Sequence, residues 1–493
     1  MWYMGHQFSL LDSRTDDSIN LPGGIQSSQP LSGGLWSPET LPLISLEEIN
    51  LTADMSYQQV AEVVLGRFDF GIPQNDLYKV IKQAYGDQWY NKDITPVKEI
   101  GDTNMYSLHL WYGPTFAFKN VALEFLPRVL SELVPDKILH VLWASSWDTV
   151  NAAHSWVKGT NINSIFMLPN SGPSYVQELQ AKNGISDNPN ALTLVADMPF
   201  DPLQDIVKKI NGPVFKDFKD KNNITSFNSI NIARILAQVV YYFRAYGQLI
   251  KNEKIKLGDK VIYSVPSGNF GDALAGYYAK KMWVPIEKIH IATNENDMLR
   301  RFIEEWVYEP PKKDGNDFVE VTNSPSMDIA KSSNFERMLF DITGNDYQRV
   351  AWWYVDLEKI WKFQVDDETL ANIQEIFTAS SSTDEERLGA IKEMSETHNH
   401  GIDPHTAAGV FPFLWKENDI PVIFLETSHV AQFGKELKAK WLLVPGMDEF
   451  DDVIHAMEKN KPVEWRDYIN ISWDFDETYK QVQYAIDNIF SAK

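Results

Sequence analysis

The pattern of apolar and polar positions changes near residue 97. Before it, apolar residues recur at three-to-four spacing, which predicts helices over 56–68 and 74–85. Residues 10–34, rich in Ser, Asp, Gly and Pro, read as loop or hairpin. After residue 97 short continuous apolar runs take over, at 137–144, 164–168, 192–196, 261–265, 289–292 and 421–425. Helical spacing lies between them, over 230–246 and 272–282. Strands separated by helices predict parallel sheets covered on both faces. The expected fold is therefore α/β, with a mostly helical N-terminal domain over 1–97 and two parallel-rich lobes over 98–240 and 241–493. Residues 366–400 read as a charged helical pair that serves packing.

Charge narrows the partners. Against 45 Lys and Arg stand 68 Asp and Glu, a net charge of −23, and no basic run offsets them. The overall field repels nucleic-acid backbones and anionic membranes, so neither is expected as a partner. A bound anion must be held by local donors. The chain has no cysteine, which excludes disulfides, thiolate metal sites and a cysteine nucleophile. Its first residues lack the basic and apolar regions of a signal peptide. No run approaches the roughly 18 apolar residues that span a bilayer. A cytoplasmic protein acting on a small molecule is expected.

Parallel sheets bind ligands beyond the carboxyl ends of their strands, and two segments carry candidate chemistry. Pro266-Ser267-Gly268-Asn269-Phe270-Gly271 leads from the 261–265 strand into the next helix. Its glycines let successive N–H groups converge, and the helix N-terminus adds a favourable dipole. The segment reads as a phosphate cradle or as an ordinary tight turn. It lacks the ending of a nucleoside-triphosphate loop and the spacing of a dinucleotide fingerprint. In Gly113-Pro114-Thr115-Phe116-Ala117-Phe118-Lys119-Asn120 one lysine lies in apolar surroundings. Burial would lower its pKa and ready the amine for imine formation; exposure would make it a snorkelling surface residue. An amine and a separate phosphate cradle are together the minimum equipment for pyridoxal phosphate.

These segments resemble threonine synthase, a fold-type-II pyridoxal-phosphate enzyme. The likeness begins at Gly33-Gly34-Leu35-Trp36-Ser37-Pro38-Glu39 and continues to residue 450 or so. Further matches, in the family's order, include Asn228-Ser229-Ile230-Asn231, Thr293-Asn294-Glu295-Asn296-Asp297, Ser332-Ser333-Asn334-Phe335-Glu336-Arg337 and Asp403-Pro404-His405-Thr406-Ala407. The resemblance implies Lys119 as the Schiff-base and catalytic lysine. It assigns the cofactor phosphate to Ser267, Gly268, Asn269, Phe270 and Gly271, and the pyridine nitrogen to Thr427. It implies a lyase acting on a γ-activated amino acid, with O-phosphohomoserine, converted to threonine and phosphate, as first candidate. The leaving phosphate needs its own site. Lys331, Asn334, Arg337 and Arg234 are candidates, each equally readable as a structural contact.

The chain departs from the family near this site. A loop close to Ser-Gly-Asp-Thr-Gly wraps the substrate there; here Ser146-Trp147-Asp148-Thr149-Val150 keeps Ser146, Asp148 and Thr149 but replaces both glycines. A β-branched residue is penalised at positive φ, and an indole fills space a substrate could use. Tyr112 replaces a usual His, Asn120 a usual Asp, and Asp197-Met198-Pro199-Phe200-Asp201 a Gly-Thr-Phe-Asp-like segment. Drift within a threonine synthase is one explanation. A relative performing β- or γ-replacement or elimination on another activated amino acid is a second, and a silent binding protein on the same scaffold a third. A homodimer is compatible with this fold, but nothing in the sequence establishes it. His398 and His400 bracket Asn399 without a third ligand in view, so no metal is expected. His405 reads as a packing or loop residue.

Overall fold

Each of the six apolar runs forms a strand, as continuous burial on both faces requires: Leu139–Ala144, Ile162–Pro169, Ala191–Ala196, Val261–Pro266, Ile286–Thr293 and Val422–Glu426. The computed structural model describes residues 8–144, 157, 160–169, 174–185, 188–196, 198, 200–313, 316–459, 468–471 and 475–490. A six-stranded sheet runs in the order Phe377–Ser381, Ile286–Thr293, Val261–Pro266, Val422–Glu426, Met105–His109, Val97–Glu99. Its strands are parallel except for the last, which is antiparallel to its neighbour. A five-stranded parallel sheet runs in the order Tyr468–Ile471, Ala191–Ala196, Ile162–Pro169, Leu139–Ala144, Ile224–Thr225.

Sheet membership crosses the division at residue 240. Met105–His109 joins the sheet built mainly by later strands, and Tyr468–Ile471 joins the sheet built by earlier ones. Parallel neighbours are connected by crossovers, so adjacency in the chain does not dictate adjacency in a sheet. The 366–400 segment also needs correction. Its helices, Asp367–Ile376 and Asp384–His398, are separated by the edge strand Phe377–Ser381. Only Phe377 of that strand is buried, so no apolar run announces it.

The N-terminal helices form at Tyr57–Leu65 and Gln74–Ala84, the first closed by a capping box between Ser56 and Gln59. Ahead of them Ser9–Asp12 pairs antiparallel with Ser18–Asn20 and with Trp36–Pro38. Helix Ile232–Lys251 starts at Asn231, whose side chain accepts the Ala233 N–H. Residues 232–249 are buried around its whole circumference. With no solvent face, its polar members Arg234 and Gln238 must meet partners or a cavity.

Candidate active site

Strand Val261–Pro266 hands the chain to helix Gly271–Lys281 through four residues, and Phe270 at the N-cap adopts φ 61°. The first helical amides have no acceptor within the helix, so they face outward as donors. A segment from the same lobe fixes this loop from behind. Ser332 Oγ donates to the Gly268 carbonyl, and Asn334 N–H donates to the Asn269 carbonyl at 3.1 Å. Ser333 Oγ donates to Asn269 Oδ1 at 3.1 Å. A Cβ at Gly268 would come within 3.0 Å of the Ser326 carbonyl and of Ile329 Cδ1, which explains the glycine. Ser267 Oγ is buried without a hydrogen-bond partner. An orphaned hydroxyl beside free helix amides is a binding feature, since burying it unpaired is costly.

The lysine loop folds on itself before delivering its amine. Asn120 Oδ1 accepts from Thr115 N–H at 3.1 Å and Thr115 Oγ1 at 2.6 Å. A Cβ at Gly113 would lie 2.5 Å from Asn120 Cβ. An isolated antiparallel bridge joins Ala117 to Ser428. Phe118 N–H donates to the Thr427 carbonyl at 2.8 Å, and His429 N–H to the Phe116 carbonyl at 2.9 Å. This bridge brings Thr427 and Lys119 to one place although 308 positions separate them. Lys119 opens helix Lys119–Leu133 and is half-buried.

A cavity of about 100 Å³ lies between these loops, lined by Lys119, Ser267, Gly268, Asn269, Phe270, Gly271 and Thr427. Arg234, Gln238, Asp272, Asn228 and Ser229 extend the lining. Arg234 Nη1 donates to the Phe227 carbonyl at 3.1 Å, while Nε is buried and unpartnered. Burial lowers its pKa to about 10, which leaves it charged at neutral pH. Asp272 Oδ1 accepts from the Tyr241 and Tyr242 hydroxyls, Oδ2 has no partner, and burial raises the carboxyl to about 6. Asn228 clamps the end of strand Leu139–Ala144 through Ala144 N–H, at 3.2 Å, and the Ala144 carbonyl, at 2.8 Å.

The proposed phosphate binders separate by position. Arg234 lines the cavity. Asn334 and Arg337 lie behind the anion loop: Arg337 is fully buried and donates to Asn334 Oδ1 at 2.6 Å and to the Trp36, Ser229 and Ile230 carbonyls. A guanidinium surrounded by these acceptors holds the scaffold. Lys331 Nζ lies 4.9 Å from the Trp361 ring, and Lys331 does not line the cavity. Ser146, Trp147, Asp148, Thr149, Val150, Asp197 and Pro199 lie outside the described residues.

Two departures near the lysine also point elsewhere. Asn120 braces its own loop, and Tyr112 packs on Trp111 with ring centroids 3.9 Å apart; neither lines the cavity. His405 does line it, but Nδ1 faces Asp403 Oδ1 at 2.8 Å and Nε2 accepts the Ser326 N–H at 3.1 Å. Both ring nitrogens are engaged, which ties the imidazole to the loop behind Gly268. Sequence reasoning missed Asp272 and Gln238 as lining residues. Asp272 directly follows the anion loop, a signal that was available; Gln238, one turn beyond Arg234, could have been inferred only once Arg234 was known to face inward.

Pyridoxal phosphate fits these residues. Helix amides and the orphaned Ser267 hydroxyl suit its phosphate, the Lys119 amine its aldehyde, and Thr427 its ring. Residues 28–85 match the family described as the threonine synthase N terminus. Threonine synthase of Saccharomyces cerevisiae is 37% identical over 457 residues, 86% of each chain. Human threonine synthase-like 1 is 32% identical over 417 residues, 82% of this chain and 55% of that protein. The crystal structure of pyridoxal-phosphate-bound threonine synthase from Brucella melitensis matches with a TM-score of 0.83 at 31% identity, covering 97% of this chain and 99% of that one. Fold and site together define a fold-type-II, pyridoxal-phosphate-dependent lyase. Within that class the chain belongs to the threonine synthase family.

Proposed function

We propose that this enzyme converts O-phosphohomoserine into threonine and inorganic phosphate. Arg234 carries the reading. It is a buried cation without a carboxylate partner among the described residues, and it lines the same cavity as Lys119. The anion loop suffices for the cofactor phosphate, so a second cationic donor answers the need of a substrate that brings its own phosphate. With a net charge of −23 the chain does not attract such a substrate by its overall field, and local donors must hold it.

When bound, pyridoxal phosphate supplies a carbonyl carbon for the substrate amine and a conjugated ring that takes up the electron pair left at Cα. The Lys119 amine would remove the Cα proton and later move protons at Cβ and Cγ. Arg234 binds the phosphate at Cγ and balances the charge that grows as it departs. Asn228 and Ser229 shape the adjoining wall. A proton gained at Cγ, water added at Cβ and a proton returned to Cα complete the conversion to threonine.

The test incubates cofactor-loaded protein with O-phosphohomoserine and follows phosphate and threonine together, with Lys119→Ala as control. Arg234→Gln should raise KM for O-phosphohomoserine and lower kcat/KM at least ~10-fold, the loss expected for a charged hydrogen bond. Retention of a Lys119-dependent cofactor spectrum without threonine formation would overturn the substrate assignment and direct screening to other activated amino acids.

A further inference from the structure

A second cluster of chemistry-bearing groups lies outside the cofactor cavity. Strands Met105–His109 and Val422–Glu426 are parallel neighbours, and their register sets His109 opposite Glu426. Residues in register on adjacent strands present their side chains on the same face. His400 arrives from a different direction: helix Asp384–His398 ends at Asn399 in the left-handed conformation, and the chain turns back onto the same face. His400 Nε2 contacts Glu426 Oε1, and His109 Nε2 lies 3.5 Å from Glu426 Oε2. One nitrogen or oxygen from each of the three lies within 4.8 Å of those of the other two. His398, the other histidine of the pair, lies instead against Gly101.

His109 is the decisive member. Its side chain is 2% exposed, and neither ring nitrogen has a hydrogen-bond partner. An imidazole buried with both nitrogens idle is costly unless something accepts its lone pair. We propose that His109, His400 and Glu426 bind a divalent transition-metal ion of the zinc class. Two imidazoles and a carboxylate are a recognised zinc ligand set, and with bonds of about 2.0–2.1 Å neighbouring ligands of a tetrahedral ion stand roughly 3.3 Å apart. The His109–Glu426 separation of 3.5 Å is close to that spacing, while His400 Nε2, now in direct contact with Glu426 Oε1, would have to draw back to share an ion with it.

The surroundings supply the outer shell that orients such ligands. Trp111 Nε1 donates to Glu426 Oε2 at 2.8 Å, and Ser107 Oγ donates to Oε1. The Trp111 ring also stacks on His109, centroids 5.0 Å apart. His400 is the most open of the three, with 15% of its side chain exposed, and marks the entry side. None of the three lines the cofactor cavity. Glu426 directly precedes Thr427, so the ion clamps two strands and the 399–401 turn behind a residue of the cofactor site.

Zinc chloride, titrated against a chelating indicator into cofactor-loaded protein stripped of metal, tests the site. One ion per chain is expected, with a raised thermal midpoint. His400→Ala and His109→Gln should each weaken binding more than ~100-fold, beyond the loss typical of an outer-shell change. Cobalt(II) provides a second readout: tetrahedral visible bands in the wild type that vanish in His400→Ala, whose open position favours retention of the fold. Absence of stoichiometric binding would overturn the proposal. So would binding that both variants preserve, since it would belong to other surface groups. An unmetallated ion pair between His400 and Glu426 is the alternative those results would leave.

Discussion

The two walls of the cofactor cavity are built differently. The anion-loop wall is braced from behind: Ser332, Ser333 and Asn334 bind the loop, Arg337 binds Asn334, and His405 holds the Ser326 amide beside Gly268. A second part of the lining, at the end of strand Leu139–Ala144, is tied through the two Asn228 hydrogen bonds to Ala144. Immediately beyond Ala144 come Trp147 and Val150, where this chain departs from its family. The difference separates two tasks. A wall braced by several side chains holds its donors fixed in advance, whereas a wall tied through one residue leaves more room for the sequence beside it to change.

Four substitutions probe this contrast. Lys119→Ala should lower turnover by at least ~10³-fold while leaving the denaturation midpoint nearly unchanged, because the residue carries chemistry and little packing. Arg337→Met sharpens the contrast most. It strips donors from three carbonyls and Asn334, and should cost about 4 kcal/mol in denaturant unfolding together with loss of cofactor.

Asp272 makes the braced wall pH-dependent. Its folded carboxyl holds a proton up to about 6, against an ordinary 3.8. Between those values the folded state binds the proton and the unfolded chain does not, so stability falls as pH rises through that window. Asp272→Asn should abolish this fall, which amounts to up to about 3 kcal/mol by linkage; unfolding curves at pH 4 and pH 7 decide it. Asn228→Ala should have the smallest effect, about 2 kcal/mol. It should raise KM while the cofactor spectrum stays as in the wild type. If it instead cost as much as Arg337→Met and released the cofactor, the two walls would not differ as described.

Much of the site was legible because its parts are local. The anion loop is a contiguous strand–turn–helix, and its glycines and helix start can be read from six residues. Lys119 stood out by its apolar neighbours, and the shared order of short segments placed the chain in its family. The reading was weaker for residues whose meaning depends on distant partners. Arg234, Asn334 and Arg337 looked alike as candidate phosphate binders, yet only Arg234 faces the cavity. Tyr112 and Asn120 suggested an altered substrate; neither lines the cavity, Asn120 Oδ1 bracing the lysine loop and Tyr112 packing on Trp111. Several strands of the two main sheets, Met105–His109 and Phe377–Ser381 among them, were not anticipated, the latter because only one of its residues is buried.

By itself the sequence pointed to the α/β class, which rests on spacing within strands and turns, and it offered Lys119 and the 266–271 loop as candidates whose roles came from the family resemblance. The tertiary structure decided which charged groups face the cavity, because that depends on how helix Ile232–Lys251 is buried and not on its composition. It also decided that His109, His400 and Glu426 meet. His109 stands 317 positions from Glu426 and 291 from His400, yet parallel strand register and one left-handed helix cap make them neighbours, and no local pattern in the chain encodes that encounter.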